Sequence, residues 1–503
     1  MFELKGNYFN NKYHQTLISG PSATEVFVKR ECPANTDLEL WNLPVDYSNV
    51  DEIIDASIKG FKTWRNTSVE DRITVLKRYQ ESLKKNQERI ATAISLEVGK
   101  PFWEAKTEAA ALVSKVDVTI NDSLPRINTK EYKDILPNTK GSVHYKPVGP
   151  CFIIGPFNFP CHLANGQILS ALISGNSIIF KPSEKTCYSS QLMFECLAEA
   201  GFPDGVVNLI QGDGETARRI LKSKDIKGVF FTGSKEVGLK IIESTYSDLS
   251  KLVSLELGGK NPAIVDPSSN MDFVLEELIK GSFLTTGQRC TSTAIVAVHE
   301  SIHEELISKF HEMAKKIIVD HPIEHENTPF MGPLVDQRSL DQYLLYMGMA
   351  KREGIQEVMR GKQLDKKFPG YYVSPSIHLA KSFDENSHFL SSEIFGPNCT
   401  FITYNDFDEA IDIANKTEYG LAASVFTKDQ SQFDHAVKNI DAGLINLNRS
   451  TVGASAKLPF GGVKNSGNYK PAAVSTIDSC VYQMSSLEVQ ETEPSGSIVG
   501  LMD

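Results

Sequence analysis

Apolar and polar positions along the chain change period several times, and each change predicts an element. Thr24 to Cys32, TEVFVKREC, alternates in period two and reads as extended. From Val50 to about Ser123 the period is helical. The clearest helix opens at Ser68 with Asp71 three residues on, in the manner of a capping box. It carries Ile73, Leu76, Tyr79, Leu83, Ile90 and Ile94 on one stripe and stops at Gly99-Lys100-Pro101. Residues 124–146 are polar and β-leaning around Pro137-Asn138, which predicts a hairpin standing off the main body.

Short apolar runs then alternate with helical stretches. Runs at 151–155, 177–180, 206–210, 228–232 and 252–257 enclose helices near 162–173, 187–200, 215–223 and 235–245. This order predicts βαβ units on a mostly parallel sheet. The pattern restarts with helices at about 271–286, 301–318 and 407–416 and strand runs at 294–298, 399–404, 423–427 and 444–448. A late period-two run at 480–489 has no helix after it and is a partner for the 124–146 hairpin. A polar tail follows near Glu491 to Ser497.

Composition narrows the classes. With 503 residues, three units of very roughly 150 residues are expected. Apolar residues at 41% and a net charge of −11 speak against disorder and against a nucleic-acid partner, which normally shows a basic footprint. No charged side chain occurs from Pro147 to Phe180, a span long enough to cross a bilayer. Four prolines and several amides within it predict a buried strand, turn and helix instead, with no membrane role. Eight cysteines lack CxxC spacing, and the N-terminus has no apolar leader segment. The expectation is a reducing cytoplasm with no metal site, where a special cysteine is catalytic rather than bridged.

Several strand ends carry candidate chemistry. Gly212-Asp-Gly214-Glu-Thr-Ala217 has dinucleotide-fingerprint spacing but lacks the later acidic residue. Thr232-Gly233-Ser234 also lies at a strand-to-helix turn, where helix N–H groups favour a phosphate. Lys181 and Glu184 suit a ribose diol, though any of these turns also reads as ordinary solvated loop. Cys290, in a polar Gly-containing helix–strand junction, is a candidate thiol nucleophile. Glu256, flanked by leucines and followed by two glycines, is a candidate base whose pKa burial would raise. Asn158, held between Pro156 and Pro160, is a rigid amide suited to an oxyanion.

Taken in order, GPFNFP, KPSE, FTGS, LELGGKNP, GQRC and EIFGP resemble the aldehyde dehydrogenase superfamily over nearly the whole chain. The spacings from Asn158 to Lys181 and from Glu256 to Cys290 are those of typical members. The resemblance implies an α/β fold: two Rossmann-like α/β domains, cofactor and catalytic, plus a small β oligomerisation element. The implied domains are 1–124 with 147–257 for NAD, 258–465 for catalysis, and 125–146 with 466–503 for bridging in a homodimer or homotetramer.

The family would make Cys290 the nucleophile, Asn158 the oxyanion donor and Glu256 the base that activates water. Members that pass the acyl group to coenzyme A commonly lack this Glu, so its presence implies a free acid as product. Lys181 and Glu184 would hold the adenosine ribose of NAD, with NADP less favoured because a carboxylate repels a 2′-phosphate. Thr232, Gly233 and Ser234 would meet the pyrophosphate, Gly212 the adenine side, and Glu393 and Phe395 the nicotinamide half. The stretch from Asn448 to Gly462, with Asn158 to Gly166, is similar to the branch acting on N-succinyl-L-glutamate 5-semialdehyde in arginine catabolism. The alternatives are the branch acting on L-glutamate 5-semialdehyde (pyrroline-5-carboxylate), a broader-specificity enzyme, and a remote non-enzymatic structural member. Cys161, Ser450 and Lys457 depart from the first branch. Phe157, His162, Arg449, Gly453 and Ala454 are the implied substrate contacts, with Lys457 a further cation for a carboxylate. Alternatively, Arg449 braces its own loop and His162 packs in its helix.

Overall fold

A computed structural model describes residues 2–15, 26–489 and 499–500 of the chain. The polar tail at 491–497 and the first two residues of the TEVFVKREC run lie outside the described residues.

The first sheet has seven strands. In spatial order they are Leu252–Glu256, Gly228–Thr232, Cys151–Ile154, Ile178–Lys181, Val207–Leu209, Asn7–Phe9 and Lys12–His14. The first five are parallel, and the N-terminal hairpin joins antiparallel at the far edge. Both faces of the sheet are covered. Cys151, Ile153, Phe180 and Phe230 pack on one side with helices Val69–Val98 and His162–Ile173. Phe152, Ile154, Ile179 and Phe231 pack on the other with helices Val50–Trp64 and Lys235–Thr245. Burial on both faces is why these strands read as continuous apolar runs rather than alternating ones. It also accounts for the uncharged span. Strand, helix and strand between Cys151 and Lys181 are core, and no helix among the described residues is long and apolar enough to cross a membrane.

The long helix follows its caps. Ser68 Oγ accepts from the Asp71 amide at 3.1 Å, Asp71 accepts from the Ser68 hydroxyl, and Gly99 closes the helix at φ +81°. Leu76, Tyr79, Leu83, Ile90 and Ile94 are buried as the stripe requires, and Ile73 is half-buried.

The second sheet runs Gln356–Met359, Ser376–Ala380, Asn398–Tyr404, Thr293–His299, Asn261–Val265, Ala422–Phe426 and Leu444–Leu447. All neighbours are parallel except the first pair. Its interior strand Asn261–Val265, next to the central Thr293–His299, has no counterpart in the periodicity, because only Ala263, Ile264 and Val265 form an apolar run and Pro262 interrupts its start. Helix Gln337–Arg352 and strands Gln356–Met359 and Ser376–Ala380 likewise fall where the pattern predicts nothing. The hairpin Phe27–Cys32 and Asn35–Pro44 buries Cys32, Leu40 and Trp41 against this second sheet.

The third sheet has three antiparallel strands: Lys130–Leu136, Thr139–Pro147 and Val481–Val489. The late strand pairs residue for residue with the hairpin, from Val481 opposite Pro147 to Val489 opposite Thr139.

Candidate active site

Open parallel sheets take ligands beyond the carboxyl ends of their strands, where the strand order reverses. In the first sheet that point lies between Cys151–Ile154 and Gly228–Thr232, because the chain moves outward from 151 in one direction and returns to its other side at 228. Asn158, Thr232, Gly233, Ser234 and Glu256 all stand at these carboxyl ends.

The Cys290 junction is held from several sides. Asn261 Nδ2 donates to the carbonyls of Cys290 and Ser292 at 2.8 and 2.9 Å, and its Oδ1 accepts from the Ala422 amide. Asn158 Nδ2 donates to the Gln288 carbonyl at 2.9 Å, which brings the buried amide to the thiol's own loop. Just upstream, Thr285 and Thr286 are both left-handed at φ 55°, followed by Gly287 at φ 69°. Such backbone costs on the order of 1–3 kcal/mol per β-branched residue and persists only when surroundings fix it. Here Glu104 accepts from the Thr285 amide and hydroxyl and from Arg289, and Thr286 Oγ1 donates to the Gly332 carbonyl.

Cys290 is half-buried, while the other seven cysteines are buried; all eight are free thiols. Burial, with Glu393 and Glu256 adding to it, pushes its thiol up to about 12, and Arg289 opposes them. Glu256 is 5% exposed, and its Oε2 has no hydrogen-bond partner. Burial raises its carboxyl well above the ordinary range, with the Ala472 amide pulling the other way. Gly258 and Gly259 permit the approach of what lies opposite them. A Cβ at 258 would stand 2.2 Å from Glu393 Oε2, and one at 259 would stand 2.3 Å from the Cys290 carbonyl oxygen. Glu393 Oε1 accepts from the Gly259 amide at 2.9 Å. Lys260 Nζ donates to the carbonyls of Phe389 and Ser392, anchoring the Glu393 segment.

The two glycine turns differ in what fills them. Ser234 Oγ caps helix Lys235–Thr245 through the Val237 amide, Gly233 N–H donates to the Glu256 carbonyl, and Gln167 Nε2 donates to Thr232 Oγ1. The cap at this helix is a neutral hydroxyl, and the only acidic side chain in the first turn is the exposed Glu236. At the other turn Asp213 caps helix Gly214–Leu221 through the Thr216 amide and accepts from Tyr47 OH, so a carboxylate already occupies it. Gly212, at φ +154°, stands where a Cβ would meet Thr216 Oγ1. Lys181 is 3% exposed, donates to the Pro182 carbonyl, and lies 4.0 Å from Glu184 Oε2.

The expected substrate contacts each have their own neighbours. Phe157 sits edge-on to Phe395 at 5.7 Å and under the Lys185 ammonium at 4.6 Å, so its ring joins the Glu393–Phe395 side. Phe395 itself is left-handed at φ 49°. Arg449 is exposed, and its side chain lies where a Cβ on Gly453 would be, with Nε 2.1 Å from that point. This is the loop-bracing arrangement. Gly453 is half-buried and Ala454 exposed. His162 opens helix His162–Ile173, whose first amides, those of Cys161 and His162, donate to Glu108 Oε1.

Sequence reasoning passed over Asn261, Lys260, Glu104 and Lys115. The first two lie inside the LELGGKNP motif itself. Glu104 and Lys115 sit with Glu108 on the buried face of helix Phe102–Val118. Charged residues recurring at helical spacing on an otherwise apolar face were the available signal.

The chain matches the sequence model of the aldehyde dehydrogenase family over residues 22–484. It is 35% identical over 470 residues to an N-succinylglutamate 5-semialdehyde dehydrogenase of Novosphingobium aromaticivorans, covering 93% of this chain and 97% of that protein. In fold it is similar to an NAD-dependent aldehyde dehydrogenase from Sinorhizobium meliloti, with a TM-score of 0.91 at 26% identity over 98% and 96% of the two chains. It is also similar to a 1-pyrroline-5-carboxylate dehydrogenase from Thermus with bound NAD, with a TM-score of 0.87 at 26% identity over 96% and 93%.

Proposed function

The chain belongs to the aldehyde dehydrogenase family and is an oxidoreductase acting on aldehydes, and from that premise we propose that it converts N-succinyl-L-glutamate 5-semialdehyde to N-succinyl-L-glutamate with NAD, through a thioester on Cys290. The observation that carries the chemistry is the convergence of Asn158, Glu256 and the Cys290 loop at one place. Asn158 is bonded to that loop, and Gly259 is pressed on the Cys290 carbonyl. The likeness to the Novosphingobium enzyme supports the substrate.

The residues present fit a dinucleotide. The helix after Gly233 is capped by a hydroxyl rather than a carboxylate, which suits its N-terminal turn to a pyrophosphate, whereas the turn at Gly212 is already filled by Asp213. Lys181 and Glu184 would take the adenosine ribose, and Glu184 disfavours a 2′-phosphate by like charge. Glu393 and Phe395 would frame the nicotinamide half, and Phe157 joins them on its contact with Phe395.

In the reaction, the Cys290 thiol passes its proton to water and on to solvent as its sulfur bonds to the aldehyde carbon, and the C=O electron pair moves onto the oxygen. The resulting oxyanion accepts from Asn158 Nδ2, whose second hydrogen is left by the bond to Gln288, and from the Cys290 amide. Bound NAD supplies the two-electron acceptor for the hydride on that carbon. Glu256 then takes a proton from water as the water oxygen adds to the thioester carbonyl. The C–S bond breaks and the thiolate is restored. A desolvated carboxyl with an unpartnered oxygen is suited to this, because burial raises its basicity.

The reading extends to organisation. Residues 1–124 and 147–257 form the cofactor domain, 258–465 the catalytic domain, and 125–146 with 466–503 the bridging element of a homodimer or homotetramer. A second reading, L-glutamate 5-semialdehyde as substrate, is favoured by the likeness to the Thermus enzyme; the Gly453 and Ala454 amides would then hold its carboxylate. Turnover on both semialdehydes and on hexanal, each with NAD and NADP, tests these assignments. A preference for hexanal overturns the substrate, a preference for NADP overturns the Glu184 argument, and a Cys290→Ala protein that still oxidises aldehyde overturns the mechanism.

A further inference from the structure

Helix Phe102–Val118 turns Glu104, Glu108 and Lys115 into the interior. The two carboxylates are balanced. Glu104 pairs with Arg289 and Thr285, and Glu108 pairs with Lys100 at 2.7 Å and with two helix amides. Lys115 is not. It is 3% exposed, and its Nζ is enclosed without a hydrogen-bond partner. Its stem lies on Gly166, where a Cβ would stand 3.3 Å from Lys115 Cε. One turn earlier on the same face of that helix is His162, whose Nδ1 is also enclosed without a partner. Asp122, the acidic neighbour that favours the Lys115 ammonium, is 3.7 Å from Lys457 instead.

This wall is continuous with the reacting centre. Arg289, next to Cys290, lies over the Phe159 ring at 5.0 Å, and Phe159 precedes His162 by three residues. Arg449 and Lys457, by contrast, are exposed cations, Arg449 lying along Gly453 and Lys457 3.7 Å from Asp122.

We propose that Lys115 and His162 Nδ1 together form the receptor for a carboxylate that the substrate carries away from its aldehyde. The inference rests on the reading of the chain as a dehydrogenase of a carboxylated semialdehyde, and it names the group that holds the far end. A buried ammonium without an acceptor is costly. Burial accordingly draws Lys115 down to about 8. An entering carboxylate supplies both a counter-charge and acceptor lone pairs. Burial also lowers the His162 pKa, with Glu108 opposing and Lys115 and Lys100 adding, so the ring is neutral near pH 7 and can offer one N–H to the anion. Gly166 is part of the arrangement, since any side chain there presses on the lysine stem.

The test is Lys115→Met, read as a ratio of kcat/KM on N-succinylglutamate 5-semialdehyde to that on hexanal. We expect the ratio to fall tenfold or more, through KM for the semialdehyde. We also expect N-succinylglutamate to raise the melting temperature of the parent protein and to lose that effect in the variant. A parent that already prefers hexanal overturns the proposed function. A parent that prefers the semialdehyde, with a variant that keeps both ratio and thermal shift, overturns the Lys115 assignment alone. His162→Leu, read in the same two ways, decides the matter should Lys115→Met fail to fold.

Discussion

Gly258 and Glu393 approach so closely that a Cβ on the first would stand 2.2 Å from Oε2 of the second. A methyl group cannot share that space, and Gly258 backbone and the anchored Glu393 segment have little room to yield. Gly258→Ala is therefore expected to displace the Glu393 carboxylate and raise KM for NAD about tenfold, equivalent to about 1.4 kcal/mol. Initial rates against NAD concentration check this, with circular dichroism to confirm the fold. An unchanged KM would show that Glu393 does not hold the cofactor.

Glu393 also sets a pH dependence. Burial raises its carboxyl to about 7, against the pull of the Gly259 amide and Lys260. Because its folded pKa lies above the ordinary value of 4.5, the folded chain keeps a proton that the unfolded chain has lost between those pH values. Its contribution to stability is thus present below about 4.5 and declines as pH rises through about 7. If Glu393 holds the nicotinamide half as an ionised acceptor, cofactor binding runs the other way. KM for NAD should fall as pH rises from 5.5 to 8.5 and level off above the transition, and Glu393→Gln should flatten the profile. Lys260, drawn down to about 7 by burial, faces the same carboxyl, so the transition belongs to the pair. A profile equally steep in the Gln variant would assign it elsewhere.

The Cys290 thiol, raised to about 12 in the free protein, should alkylate slowly at neutral pH. The rate with iodoacetamide is expected to rise about tenfold per pH unit from 7 to 10 without a plateau. Glu393→Gln and Glu256→Gln should each accelerate it at fixed pH, since both carboxylates oppose the thiolate. Mass spectrometry locates the adduct. A plateau below pH 9 would mean that another cation compensates.

The late strand Val481–Val489 covers the whole edge of Thr139–Pro147. Removing everything after Cys480 leaves that edge without a partner. If this sheet bridges subunits, the mass measured by light scattering should drop to that of one chain. A truncated protein with the mass of the full chain's assembly would rule out bridging.

Legibility followed burial. The strands of the first sheet are short apolar runs because both their faces are covered, and the helix after Ser68 carries its own caps, so periodicity and end signals agree there. Strand Asn261–Val265 escaped because a glycine pair and Pro262 precede an apolar run of only three residues, although Asn261 holds the Cys290 loop through its carbonyls. The motif residues Asn158, Glu256, Gly233 and Ser234 come to one set of strand ends, as their positions after apolar runs implied. The contacts of Phe157 with Phe395 and Lys185 were not legible, because those residues lie far from it in sequence. Lys115 was legible only as a charge on an apolar stripe, and such a charge acquires meaning once its lack of a partner is seen.

The buried pair Lys100 and Glu108 gives a stability prediction tied to the site. Both side chains are fully buried at 2.7 Å, Lys100 lies 3.6 Å from the Phe159 ring centroid, and Glu108 Oε1 accepts from the amides that open helix His162–Ile173. Glu108→Leu removes the counter-charge and the cap together, leaving a buried ammonium against an aromatic face. The cost of breaking such a pair is about 3–5 kcal/mol. Lys100→Met in addition should recover part of it, because the unpaired charge is gone, but not the part due to the two lost amide bonds, about 1 kcal/mol each. Urea denaturation of the two variants measures both steps. Should the double variant be no more stable than Glu108→Leu, the loss would lie in the helix cap rather than in the stranded ammonium.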